Sequence, residues 1–119
     1  MPRPQDSELR VFHAQICQAL ADPTRIMLLY HLADGPQTVG TLADELGISQ
    51  PTVSRHLKML REQGMVMATR RGAAIECRLL DDRPIQALDI LRAVMHDNLT
   101  RRAELVNALT ADSEIDREA

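Results

Sequence analysis

The chain has 119 residues, enough for one domain with a modest core. Only 2% of residues are aromatic, with no Trp, so the core must be built from Leu, Ile, Val, Ala and Met, which suits helix packing better than a β-sandwich. The net charge of −3 argues against nucleic acid as a partner if it is spread evenly, but it is not.

From Gln37 to Arg78 there are six basic residues (Arg55, Lys58, Arg61, Arg70, Arg71, Arg78) against four acids (Asp44, Glu45, Glu62, Glu76), a local balance of +2. From Glu104 onward there are five acids against Arg117 alone, or −4. The middle of the chain is therefore basic and its end acidic. No apolar run approaches the roughly 20 residues that span a membrane. The polar start, Met1 to Arg10, does not resemble a signal peptide, which makes the cytoplasm the expected location. Two cysteines, Cys17 and Cys77, do not make a disulfide framework.

Residues 1–6, with two prolines, read as a loose arm. The first helix is expected from about Ser7 to Leu20, with Leu9, Phe12, Ile16, Ala19 and Leu20 on one apolar face. Asp22-Pro23 starts the second helix: Asp22 accepts from a free N–H, and Pro23 gives up a donor that would go unpaired. Ile26, Leu28, Leu29 and Leu32 make that helix central, and Asp34-Gly35-Pro36 ends it. A short third helix covers about Val39 to Leu46. Gly47 supplies the turn, Ser49 caps a fourth helix running to about Gln63, and Gly64 stops it. The period then changes. Met65 to Arg71 and Ala74 to Leu80 suit two short strands around an Arg71-Gly72-Ala73 turn, with Ile75, Cys77 and Leu79 on one face. Asp81-Asp82-Arg83-Pro84 opens a last helix to about Leu109, with a stripe of Ile85, Leu88, Leu91, Val94 or Met95, Leu99 and Val106. A stripe this long needs a partner, and a two-fold dimer is the commonest solution. Residues 7–109 thus read as one domain and 110–119 as an acidic, disordered tail.

The fourth helix carries the chemistry. With Val53, Leu57 and Leu60 inward, 100° per residue puts Pro51, Arg55, Lys58 and Glu62 on the outer face, Thr52 and Ser54 on its flanks, and His56 at the edge of the buried stripe. Hydroxyls, an amide and an arginine near a helix start suit base edges and phosphates: Arg for guanine, Gln for adenine, Ser or Thr for either. The candidate reading residues are Ser49, Gln50, Thr52, Ser54, Arg55 and His56, with Lys58 as a phosphate contact. A packed or hydrogen-bonded role for His56 is the competing reading. Arg70 and Arg71 beside the hairpin turn are candidates for the minor groove or the backbone. A solvated polar helix face is the plain alternative for Arg55 alone. The glycine turn, serine cap, polar outer face and basic hairpin together are far more specific.

Three runs carry a family resemblance: Ala19-Leu20-Ala21-Asp22-Pro23-Thr24-Arg25-Ile26, Val39-Gly40-Thr41-Leu42-Ala43, and Ser49-Gln50-Pro51-Thr52-Val53-Ser54-Arg55-His56-Leu57-Lys58-Met59-Leu60-Arg61. They resemble the ArsR/SmtB family of bacterial winged-helix repressors over roughly Leu9 to Leu109. The resemblance implies a mainly α fold with a small β-hairpin: a winged helix-turn-helix of four helices, a two-stranded wing and a fifth helix. It also implies a homodimer joined by the terminal helices, with the fourth helix reading double-stranded operator DNA. The implied function is a transcriptional repressor released by a metal, metalloid or thiol-redox signal. The alternative is a winged-helix module that binds protein and no DNA. An enzyme is disfavoured, since there is no Gly-rich phosphate loop, complete metal site or paired nucleophile and base.

The family's sensing sites do not carry over. The Cys-x-Cys of its arsenic and cadmium site falls on Thr38 to Ala43, which has no thiol. The zinc-type Asp-x-His falls on Asp89-Ile90-Leu91, and His96 is followed three residues on by Leu99. Persulfide sensors use a cysteine in the second helix and one in the last, and both helices lack it. What remains is His13 and Cys17, four apart on one face of the first helix, with Cys77 and His96 as further candidates. They suit a soft metal or metalloid, or a cofactor-free thiol switch between Cys17 and Cys77. His31 reads as a surface histidine.

Overall fold

The computed structural model describes residues 1–118, with side chains described through residue 112. The chain divides into two compact units, Met1–Ile85 and the part from Gln86 onward.

In the first unit, α1 (Asp6–Phe12) continues directly into a π-helical segment, His13–Cys17. The expected regular helix thus contains one wider turn, of the kind made by a single-residue bulge in an α-helix. Apolar spacing does not announce such a turn. Ile16 and Cys17 are half-buried and Ala19 is fully buried, whereas Leu9 and Phe12 stand exposed in the single chain. The apolar face expected to run unbroken from Leu9 to Leu20 is therefore buried only in its second half.

The second helix, α2 (Pro23–Ala33), starts as its sequence dictates. Asp22 is extended and its carboxylate accepts from the N–H groups of Thr24 at 2.8 Å and Arg25 at 3.3 Å. Leu28, Leu29 and Leu32 are buried at the centre of the domain. Next come β1 (Gln37–Thr38) and α3 (Val39–Leu46), where the Thr38 hydroxyl caps the helix by accepting from Thr41 N–H at 3.1 Å.

Gly47 ends α3 in the left-handed conformation, φ 67°. Its N–H and that of Ile48 return to the carbonyls of Asp44 and Ala43, so two of the four free helix-end acceptors are filled as the chain turns out of the helix. Thereafter α4 (Gln50–Glu62) runs with Val53, Leu57 and Leu60 buried. The same closure recurs at its end, with Gly64 N–H on Arg61 and Met65 N–H on Leu60.

The hairpin is β2 (Val66–Arg71) and β3 (Ala74–Leu79), paired antiparallel with Ala68 opposite Cys77 and Arg70 opposite Ile75. Of the expected inner face, Cys77 is buried and Leu79 half-buried, but Ile75 lies near the open tip and is 46% exposed. Unforeseen in the sequence, β1 adds a third strand on the other side of β3, with Gln37 opposite Cys77 and Thr38 opposite Glu76. Two residues after a proline have no period to detect.

The last helix, α5 (Arg83–Glu118), follows Asp81, whose carboxylate accepts from Arg83 N–H at 2.9 Å. The sequence reading ends it near Leu109 and gives residues 110–119 to a disordered tail, but the helix continues to Glu118. No Pro or Gly follows Pro84, so nothing local stops it. Within the second unit Leu91, Val94, Met95, Leu99 and Val106 are all exposed, as are Ile90, Leu105 and Leu109. No helix among the described residues is long and apolar enough to cross a membrane.

Candidate nucleic-acid interface

The outer surface of α4 brings most of the predicted readers onto one face. Ser49, Gln50, Ser54, Arg55 and Lys58 are exposed and Thr52 is half-buried on the flank. Ser49 is the cap, extended at φ −69°, ψ 148°, and its hydroxyl accepts from Thr52 N–H at 3.3 Å. That leaves Ser49 Oγ 2.8 Å from Thr52 Oγ1, which in turn accepts from Arg55 Nη2 at 3.2 Å. A chain of hydrogen bonds thus runs from the cap to the guanidinium. The Gln50 amide lies over Gly40 of α3, where an added Cβ would stand 3.5 Å from its Nε2. Lys58 is 4.0 Å from Glu62, one turn on, in an exposed pair worth little energetically.

His56 differs from its neighbours. It is half-buried, and its Nδ1 lies 3.3 Å from Arg25 Nη1 of α2. The structure favours the packed, hydrogen-bonded reading of this residue. Asp22 shares the corner. Burial works to raise its carboxyl, but the Arg25 and Thr24 N–H groups, then the charges of His56 and Arg25, outweigh that and hold it below its ordinary value.

In the wing, strand alternation sends Arg70 and Arg71 to opposite faces. Arg71 Nε is 3.1 Å from Glu76 Oε1 across the hairpin, while Arg70 sits opposite Ile75. The two arginines are therefore not equivalent. Adjacent in sequence, the two arginines look alike, and nothing local marks Glu76 as the partner of one. The signal of Arg25 is no more than a cation in the first turn of a helix.

The candidate sensing residues have different settings. His13 is exposed at the start of the π-helical segment, Cys17 half-buried at its end, and His96 exposed on α5. Cys77 is buried in β3, and both cysteines are free thiols. Burial pushes the Cys77 thiol up, Glu76 adds to this and Arg61 opposes it. His31 pairs with Glu45 at 2.9 Å, joining α2 to α3. Among the described residues no three His, Cys, Asp or Glu side chains come together to hold a metal ion.

Two helices joined by a left-handed glycine, a capped second helix with a cationic outer face, and a basic hairpin beside it define a winged helix-turn-helix transcriptional regulator. The family model described as bacterial regulatory protein, arsR family, matches residues 22–67. The chain belongs to this ArsR family of DNA-binding regulators. It is 40% identical over 93 residues to the HTH-type transcriptional regulator NmtR of Mycobacterium tuberculosis, covering 78% of this chain and 76% of that one. It is also 40% identical over 81 residues to the biofilm growth-associated repressor of Agrobacterium fabrum, covering 68% and 69%. Among solved structures it is similar to a homodimeric winged helix-turn-helix DNA-binding domain from Mycobacterium bovis, with TM-score 0.68, 26% identity and 83% and 94% of the two chains covered. The repressor BigR from Xylella fastidiosa superposes with TM-score 0.63 at 31% identity, over 76% and 96%.

Proposed function

We propose that this chain is a dimeric repressor that reads an operator through α4 and leaves it on a metal, metalloid or thiol-redox signal. The observation that carries the reading of DNA is the hydrogen-bonded run Ser49–Thr52–Arg55, which holds a guanidinium ready on an otherwise exposed helix face. Gln50, Ser54 and Arg55 meet base edges, while Ser49 and Thr52 meet phosphate or base from the helix start. Lys58, Arg70 and Arg71 hold the backbone. In a two-fold dimer the two copies of α4 enter successive major grooves about 34–36 Å apart, so the operator is an imperfect palindrome.

Dimerisation is supported by the exposed apolar residues of α1 (Leu9, Val11, Phe12) and of α5, and by the homodimeric relative from M. bovis. The signal is received by thiol or imidazole groups. Cys17 is the accessible thiol and His13 lies one turn before it, while Cys77 is shielded. Titrating the pure protein against a fragment of its own promoter at physiological salt tests the first part. No retardation of that fragment, or equal retardation of random DNA, overturns it. Elemental analysis and thiol titration of reduced and oxidised protein test the second. A metal-free protein whose cysteine-to-serine double variant still releases DNA on induction removes the thiol-based signal.

A further inference from the structure

Arg25 occupies an unfavourable place. It lies in the first turn of α2, where the helix already carries partial positive charge. Its guanidinium is satisfied elsewhere. Nε donates to the Ala19 carbonyl at 2.7 Å and Nη2 to the Gln18 carbonyl at 2.8 Å. Both carbonyls lie at the end of the first helical run, and that of Gln18 also accepts from Ala21 N–H at 3.3 Å. The third contact, from Nη1, is with His56 Nδ1 at 3.3 Å. A guanidinium donates and never accepts. In that bond Nδ1 is the acceptor.

We propose that Arg25 is a positioning residue for DNA reading: it braces the recognition helix α4, through His56, against the end of the first helical run. His56 follows Arg55 directly and precedes the buried Leu57. Fixing its ring fixes the rotation of α4 at the turn that carries Thr52 and Arg55. Base edges demand bidentate geometry, whereas phosphates accept a point charge from many directions. Loss of the brace therefore degrades discrimination between sequences more than it degrades total affinity. Lysine is a poor replacement for Arg25, because its three donors radiate from one nitrogen, whereas the three acceptors here are met by three separate nitrogens of a planar fork.

The test uses a duplex selected from a random library by the wild-type protein and a scrambled duplex of the same composition. The ratio of the two affinities is measured at pH 8. At pH 8, Arg25→Gln and Arg25→Lys are expected to lower the ratio by about tenfold, the loss of roughly one well-formed base contact. Lys58→Ala is expected to weaken both duplexes alike and leave the ratio unchanged. His56→Gln, whose amide oxygen can still accept from Arg25, is expected to keep the ratio, and His56→Leu, which has no acceptor, to lower it as the Arg25 variants do. An Arg25→Lys protein as selective as wild type overturns the proposal, as does a His56→Leu protein as selective as His56→Gln. Where the Arg25 variants do not fold, the comparison of His56→Leu with His56→Gln decides the question.

Discussion

Arg55 donates through Nη2 to Thr52 Oγ1 at 3.2 Å, and that oxygen also lies 2.8 Å from Ser49 Oγ. The arginine expected to read guanine is thus held by its own helix before any DNA arrives. Ordering a long side chain costs free energy on binding, and a guanidinium already restrained loses less. Arg55→Ala should lower affinity for a specific duplex by about 1–3 kcal/mol and relax preference at one base pair. Thr52→Val keeps the volume and removes the oxygen, so it should lose part of that amount with no change in salt dependence. Anisotropy titrations at two salt concentrations separate the two. Full wild-type affinity in Arg55→Ala would show that α4 presents another face to DNA.

The wing should behave differently. Arg70→Ala with Arg71→Ala should weaken binding to every sequence and flatten its dependence on salt, because phosphate contacts release counterions. Glu76→Gln removes the carboxylate 3.1 Å from Arg71 and should steepen the same plot. A Glu76→Gln slope identical to wild type would mean that Arg71 stays off the DNA.

Asp22 caps α2 through two backbone N–H groups. Asp22→Ala should destabilise the domain by about 1 kcal/mol at neutral pH, measured as a shift in urea midpoint. Its carboxyl is depressed in the folded protein. The stabilisation is therefore complete above the ordinary carboxylate value near 4 and disappears as the pH falls through the lower folded value. The midpoints of wild type and variant should converge in acid.

At the start of α5, hydrogen bonds from the Arg83 side chain and backbone N–H hold the Asp81 carboxyl down at about 2. The sign is the same: whatever this cap contributes is present at neutral pH and is lost as the pH falls toward 2. Arg83→Ala should return the carboxyl toward its ordinary value of about 4, read directly from carboxyl NMR shifts. A titration unchanged by the substitution would assign the shift to the backbone bond alone.

The two thiols should separate in an alkylation experiment. Cys17, half-buried in the π-helical segment, should react in the native protein, whereas Cys77, 1% exposed and with its thiolate disfavoured by burial, should react only as the domain opens. Mass spectrometry after a short pulse of a small alkylating reagent distinguishes them. Equal rates would mean that the sheet around Cys77 opens far more often than its packing implies.

The helix-turn-helix was legible because its signals are local. Asp22-Pro23, Gly47 with Ile48, and Ser49 fix helix ends by backbone chemistry that a short window contains, and the inward Val53, Leu57 and Leu60 follow from period alone. The hairpin came from the change of period after Gly64. What escaped depends on partners distant in sequence. Arg25 meets His56 across 31 positions, and β1 exists only because β3 lies beside it. The π-helical turn and the continuation of α5 past Leu109 escaped for another reason. Each breaks or extends a helix without the glycine or proline that usually marks such a change.

Short as it is, β1 has a mechanical consequence. Thr38 pairs with Glu76 of the wing in the same residue that caps α3. The hairpin and the helix-turn-helix are thus spliced at one peptide, and the wing cannot swing without dragging α3 along. The interval between what α4 touches and what the wing touches becomes a fixed ruler laid along the duplex. Inserting one base pair between those two contact zones should not be absorbed by the protein. It forces either the DNA to twist or one of the two contacts to let go.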